Sequence, residues 1–257
     1  MKLKLATQLT AMSITAMLAP AAIALAAQDT PAGTGSVRVG MLEAFFVQRH
    51  PITRQVEWIG SFIIWALLIL SGFCIAFLVM RLQENRKRDI IAPEIERRAR
   101  ERAASGLPNE IAAMAANRST FFESVLKSAV DQHPHGHSAM IRAAETASET
   151  LTYRRLRAIE PLNVVGNVAP MIGLFGTVYG MILAFRQIVL GGGTPDPVAL
   201  ANGIGTALVT TFWGLIVAIP ALSGYALLRN KIDGLTSEAT RAVEEVIGLL
   251  RGPGDSR

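Results

Sequence analysis

Four threonines, Thr177, Thr206, Thr210 and Thr211, sit inside two long stretches with nothing on them to carry a proton. Leu162 to Phe185 contains no Asp, Glu, His, Lys or Arg, and Val198 to Leu228 contains none either. A hydroxyl donates one hydrogen bond and accepts others, so it can line or hydrate a path. If ions cross at this point, a second protein must bring the titratable group. The competing reading of each threonine is a bond back to a carbonyl three or four residues earlier in its own helix. Clustering of the hydroxyls on faces of small residues favours a shared polar path, since polar groups at membrane depth face other helices or wet cavities rather than lipid.

The elements that must position these hydroxyls are two membrane spans, 161–189 and 198–228. At 1.5 Å per residue each charge-free run is long enough to cross a hydrocarbon core of about 30 Å. GGGTPDP, within the 190–197 turn, interrupts any helix and leaves an antiparallel hairpin as the simplest outcome. In the first span Gly166, Pro170, Gly173, Thr177, Gly180 and Ala184 recur at alternating steps of four and three, with Gly176 among them. In the second Ala207, Thr211, Gly214, Ala218 and Ala221 repeat the pattern, beside Gly203, Thr206 and Thr210. Lipid tails give helices no hydrophobic reason to associate, so close backbone approach through small faces is the usual means. Gly166, Pro170, Gly173, Gly176, Gly180, Ala207, Gly214 and Ala218 are therefore the expected packing residues.

The segments VGNVAPMIGLFGTVYGMILAF and ALANGIGTALVTTFWGLIVAIPA resemble the signature hairpin of the ExbB/TolQ/MotA group of proton-channel stator subunits, more that of ExbB or TolQ than of MotA. The likeness is strong from Arg154 to Asp233. It implies a pentamer of this chain around a small single-span partner of the ExbD or TolR type, whose membrane Asp shuttles protons. By motif, the two pore threonines of that group fall on Thr177, in GLFGTV, and Thr211, in ALVTT. Many of its members carry Glu in the GIxEAL position, where this sequence has Thr206; the partner's Asp is then the expected sole carrier in the membrane.

The rest of the chain fits a membrane protein. Its 257 residues are 51% hydrophobic, with a mean hydropathy of +0.36, which is too apolar for an ordinary water-soluble domain. The net charge of +5 comes from basic residues beside the spans, not from an aromatic-studded stripe, so no nucleic-acid partner is expected. Lys2 and Lys4, an apolar run and a small-residue end at Ala26 and Ala27 read as a signal peptide over 1–27. An extension over 28–58 follows, and then a first span over 59–80 with Trp58 and Trp65 toward its outer part. Cys74 has no partner for a disulfide in the sequence.

Arg81, Arg86, Lys87 and Arg88 follow the first span; Arg154, Arg155 and Arg157 precede the second; Arg229 and Lys231 follow the third. The positive-inside rule puts all three flanks in the cytoplasm, with the mature amino end outside. The cytoplasmic region 81–160 is expected to hold two or three helices broken at GLPN and HPHGH, and 229–257 a helix and tail. ERRARERAA, with its interleaved glutamates, reads as a solvated helix face, and His133, His135 and His137 read as a polar turn rather than a metal site.

The expected fold class is all-α: three transmembrane helices extended into the cytoplasm, in an oligomeric bundle. No GxSxG elbow, HExxH helix or Walker loop is present, so neither an enzyme nor a cofactor is called for. The function implied is that of an ExbB-like subunit at the inner membrane, using the proton motive force with an ExbD-type partner to energise a TonB-type transducer. A TolQ-like role in a Tol-Pal envelope system, or a passive scaffold for the partner, is the alternative.

Overall fold

The computed structural model describes residues 58–117, 119–194 and 196–250. The expected signal peptide, nearly all of the outer extension and the GPGDSR tail lie outside them. Every regular element among the described residues is helical. Three of these helices are long and apolar enough to span a membrane.

Helix α1, Trp58–Glu84, is an unbroken apolar run that ends where Arg81 enters its last turn. Asn85 closes it by donating from Nδ2 to the Arg81 carbonyl at 2.9 Å. A single turn, α2 (Lys87–Ile90), comes next, and Ala92, at a φ of 43°, reverses the chain into α3, Pro93–Ala104. Proline suits the first turn of a helix, where its missing N–H costs nothing. The same device opens α4, Pro108–Met114, after Gly106 takes a φ of +68°.

Thr120 and Glu123 then form a capping box at the start of α5, Phe121–Val130: the Thr120 hydroxyl accepts from the Glu123 amide at 3.2 Å, while Glu123 Oε2 accepts from the Thr120 amide at 2.9 Å. His133–His135 form one 3-10 turn, which Gly136 ends. From there α6 runs His137–Leu190 and α7 runs Pro197–Leu249, each continuing well beyond its apolar stretch. Between them Gly192 and Gly193 adopt positive φ, and Asp196 Oδ1 caps α7 by accepting from the Val198 amide at 2.9 Å. The region 81–160 is thus more divided than expected, because Ala92, Gly106 and the prolines stop each helix early.

The chain forms two compact units. The first comprises residues 58–79 and 162–224 and holds most of the charge-free helix. Small side chains dominate its buried set in α6 and α7: Ala169, Ala184, Ala207, Ala218 and Ala221. Large apolar residues such as Phe62, Met171, Phe175, Ile182, Leu208 and Ile219 face outward, as expected of helices whose solvent is lipid.

The second unit, residues 80–161 and 225–250, is built the other way round. Ile90, Ile91, Ile111, Phe121, Phe122, Val125 and Leu126 pack with Met140, Val243, Val246 and Ile247 into one apolar core. Its outer face carries ion pairs: Arg100 reaches Glu96 and Glu245 at 2.7 Å each, Arg97 reaches Glu94 and Glu101, and Lys87 reaches Glu238 at 2.7 Å. These pairs are well exposed and contribute little each. The arginines and glutamates of ERRARERAA form a solvated face, while Ala99 and Ala103 of the same segment join the core. Arg155 is different, because it is partly buried and donates to Asn85 Oδ1 at 3.0 Å. Burial pulls its guanidinium below the usual range while Asp89 and Glu84 push it back up, and it stays a cation.

Candidate functional site: the seam of the helical hairpin

Within the first unit α6 and α7 meet backbone to backbone. A methyl group placed on Gly180 would sit 2.6 Å from the Ala207 nitrogen and 2.7 Å from the Gly203 carbonyl oxygen, closer than real atoms approach. On Gly214 it would lie 2.8 Å from the Ala169 oxygen, and on Gly203 it would lie 2.8 Å from the Ala184 nitrogen. Gly173 faces Thr210, Thr211 and Gly214 at 3.1 to 3.4 Å, and Gly176 lies directly against the Thr210 side chain. Near the Leu162 end of the seam, Gly166 packs on Leu222. Ala218 is buried and Pro170 is partly buried. Small residues here give the hydroxyl-bearing helix room to approach, and the hydroxyls fill the space left.

All four threonines bond back to their own helices. Thr177 Oγ1 donates to the Leu174 carbonyl at 2.6 Å, Thr206 to Asn202 at 2.9 Å, and Thr210 to Ala207 at 2.9 Å and Thr206 at 3.1 Å. Thr211 is shared, at 3.4 Å both to Ala207 of its own helix and to Gly173 across the seam. A hydroxyl that has donated its proton still offers lone pairs. Location therefore decides what each can do. Thr206 and Thr210 are 3% and 0% exposed, closed off inside the hairpin, whereas Thr177 and Thr211 are only partly buried. The structure sets Thr210 and Thr211 against Gly173 and Gly176 of α6, buries Thr206 one turn before Thr210, and leaves Thr177 partly buried on the other helix.

Two polar residues of the span went unremarked in the sequence reading. Asn167 donates from Nδ2 to both the carbonyl and the Oδ1 of Asn163, at 2.7 and 3.0 Å, on an exposed stretch of α6. Their signal in the sequence is two carboxamides four residues apart in a charge-free run, groups that hydrogen-bond but do not titrate. No three His, Cys, Asp or Glu side chains converge as metal ligands among the described residues.

Comparison with known proteins meets this geometry at the same residues. A family model described as the MotA/TolQ/ExbB proton channel family matches residues 112–241, half of the chain, including all of α6 from its first turn and the hairpin seam of α7. The chain belongs to this family. Among its relatives, biopolymer transport protein exbB1 of Vibrio cholerae is 35% identical over 35% of this chain and 40% of its own length. Biopolymer transport protein ExbB of Pseudomonas putida is 28% identical over 75% of this chain and 57% of its own. Tol-Pal system protein TolQ of Haemophilus influenzae is 31% identical over 46% and 53% respectively. The chain thus spans about half the length of these curated relatives. The family it belongs to is described as one of proton channels.

Proposed function

We propose that this chain is an inner-membrane subunit of a motor driven by the proton motive force, ExbB-like in role. In this reading several copies, most simply five, surround a single-span partner of the ExbD or TolR type, and the partner's membrane Asp carries the proton. A TonB-type transducer then receives the work. Names of relatives containing both ExbB and TolQ support the general role, and the expected signal peptide and outer extension incline it toward ExbB over TolQ. The flanking arginines and lysines favour an outside amino end and a cytoplasmic carboxyl end.

One observation carries the reading: hydroxyls at the seam of a hairpin whose two runs, 162–185 and 198–228, contain no Asp, Glu, His, Lys or Arg. Such a wall hydrates a charge without binding the proton itself. Thr177 and Thr211, which keep part of their surface open, are the lining residues, and Thr206 and Thr210 support them from within the seam. Each elementary charge crossing 100 mV releases about 2.3 kcal/mol, and coupling that release to movement of the partner is the work done.

The test is Thr177→Val and Thr211→Val, which keep the branched shape and remove the hydroxyl. Both variants are expected to assemble with the partner and to lose proton flux in reconstituted vesicles. Unchanged flux from assembled variants would favour the passive scaffold instead.

A further inference from the structure

The Asn163 and Asn167 carboxamides have no place in the hydroxyl lining just described. Both lie in the charge-free part of α6, spaced one turn apart, and Asn167 is exposed on the isolated chain. Residues 163, 167, 170, 174 and 177 follow the three-four spacing that keeps them on one helix face, so the pair shares its face with Thr177. An amide turned to hydrocarbon is unfavourable, so this face meets either protein or water in the assembled state.

Pro170 lies inside α6 and has no N–H for the Gly166 carbonyl one turn earlier, while Gly166 itself is buried against Leu222. Asn167 Nδ2 already gives both of its bonds to Asn163. Its Oδ1 remains as an acceptor, the kind of group that holds a water or a hydrated proton. Ten residues separate Asn167 from Thr177, about 15 Å of helix rise. Pro170 and Leu174 occupy the interval, so a connected path over it takes a file of several waters, each spanning about two hydrogen-bond lengths.

We infer that the Asn163–Asn167 pair is a hydration step on the proton path, lying between Thr177 and the Leu162 end of the span. The proposal rests on the reading of Thr177 given above. Neither amide takes up the proton; Asn163 orients Asn167, and Asn167 Oδ1 accepts from the water that does. Asn167 is a positioning residue for the path.

The experiment compares Asn167→Leu, Asn167→Ser and Thr177→Val, each reconstituted with the single-span partner and measured for proton flux and for partner retention. Asn167→Leu is expected to keep the partner and lower flux about tenfold, the scale of one lost hydrogen bond to a charged group. Asn167→Ser, which restores a small polar group, should recover most of that flux. If Thr177→Val blocks flux while Asn167→Leu conducts at the original rate, the pair is off the path and the inference fails. If Asn167→Leu and Asn167→Ser both lose the partner, the pair is packing glue and the inference also fails. If Asn167→Leu and Thr177→Val are both silent, the underlying reading of Thr177 fails instead, and this step falls with it.

Discussion

The two units are held together by opposite means. In the unit of residues 80–161 and 225–250, Phe122, Leu126, Val243 and Ile247 are buried and arginine–glutamate pairs face outward. In the unit of residues 58–79 and 162–224, glycine, alanine and threonine form the hairpin seam, and large side chains such as Phe175, Ile182 and Leu208 face outward, although Ile64, Leu67 and Val217 are buried. Water makes the first arrangement favourable, because apolar area withdrawn from it drives association. Lipid offers no such gain, and contact between backbones together with local hydroxyl bonds takes its place. The lesson concerns the sign of substitutions: one unit is damaged by making side chains smaller, the other by making them larger.

The largest effect should come from Gly180→Leu. Even a methyl at this position meets the Ala207 nitrogen at 2.6 Å, and what it meets is backbone, which cannot rotate away. Loss of a monodisperse, partner-binding protein by size-exclusion chromatography is expected. Recovery of normal assembly would break the comparison at its membrane end.

Next comes Phe122→Ala in the other unit, where the ring is fully buried. Deleting a buried aromatic side chain costs about 3–5 kcal/mol. A clear fall in thermal midpoint and faster proteolysis of the 80–161 region are expected. The same variant should still insert in the membrane, since the charge-free spans are untouched. The smallest of the three is Thr120→Ala, which removes half of the capping box on α5 and should cost about 1 kcal/mol. Thr120→Ser, which keeps the accepting oxygen, should restore most of it, and chemical denaturation of the two variants sharpens the picture of a water-facing unit governed by ordinary helix rules.

Much of this contrast can be read along the chain. The three-four spacing of Gly166, Gly173, Gly180, Ala207 and Gly214 marks one face on each helix, because rotation per residue in a helix is fixed. Alternation of Arg and Glu in ERRARERAA likewise marks a helix with one solvated face, and prolines 93 and 108 mark starts. What spacing leaves open is the rotation of α6 against α7 about their common seam. That angle closes off Thr206 and Thr210 while leaving Thr177 and Thr211 partly open, and it depends on how deeply each glycine admits its neighbour. The fate of each hydroxyl was also ambiguous, since a bond within the helix and a bond across it are both within reach. Thr211 makes both. Asn163 and Asn167 were visible as letters, but their meeting and their outward face emerge only with coordinates.

The central claim is a division of labour in which this chain houses the path and its partner brings the proton carrier. Its most direct test is proton conductance across sealed vesicles containing the purified chain alone, set against vesicles that also hold the single-span partner with its Asp intact or replaced by Asn. The account predicts conductance only with the intact partner. Conductance by the chain alone equal to that of the whole assembly would contradict it.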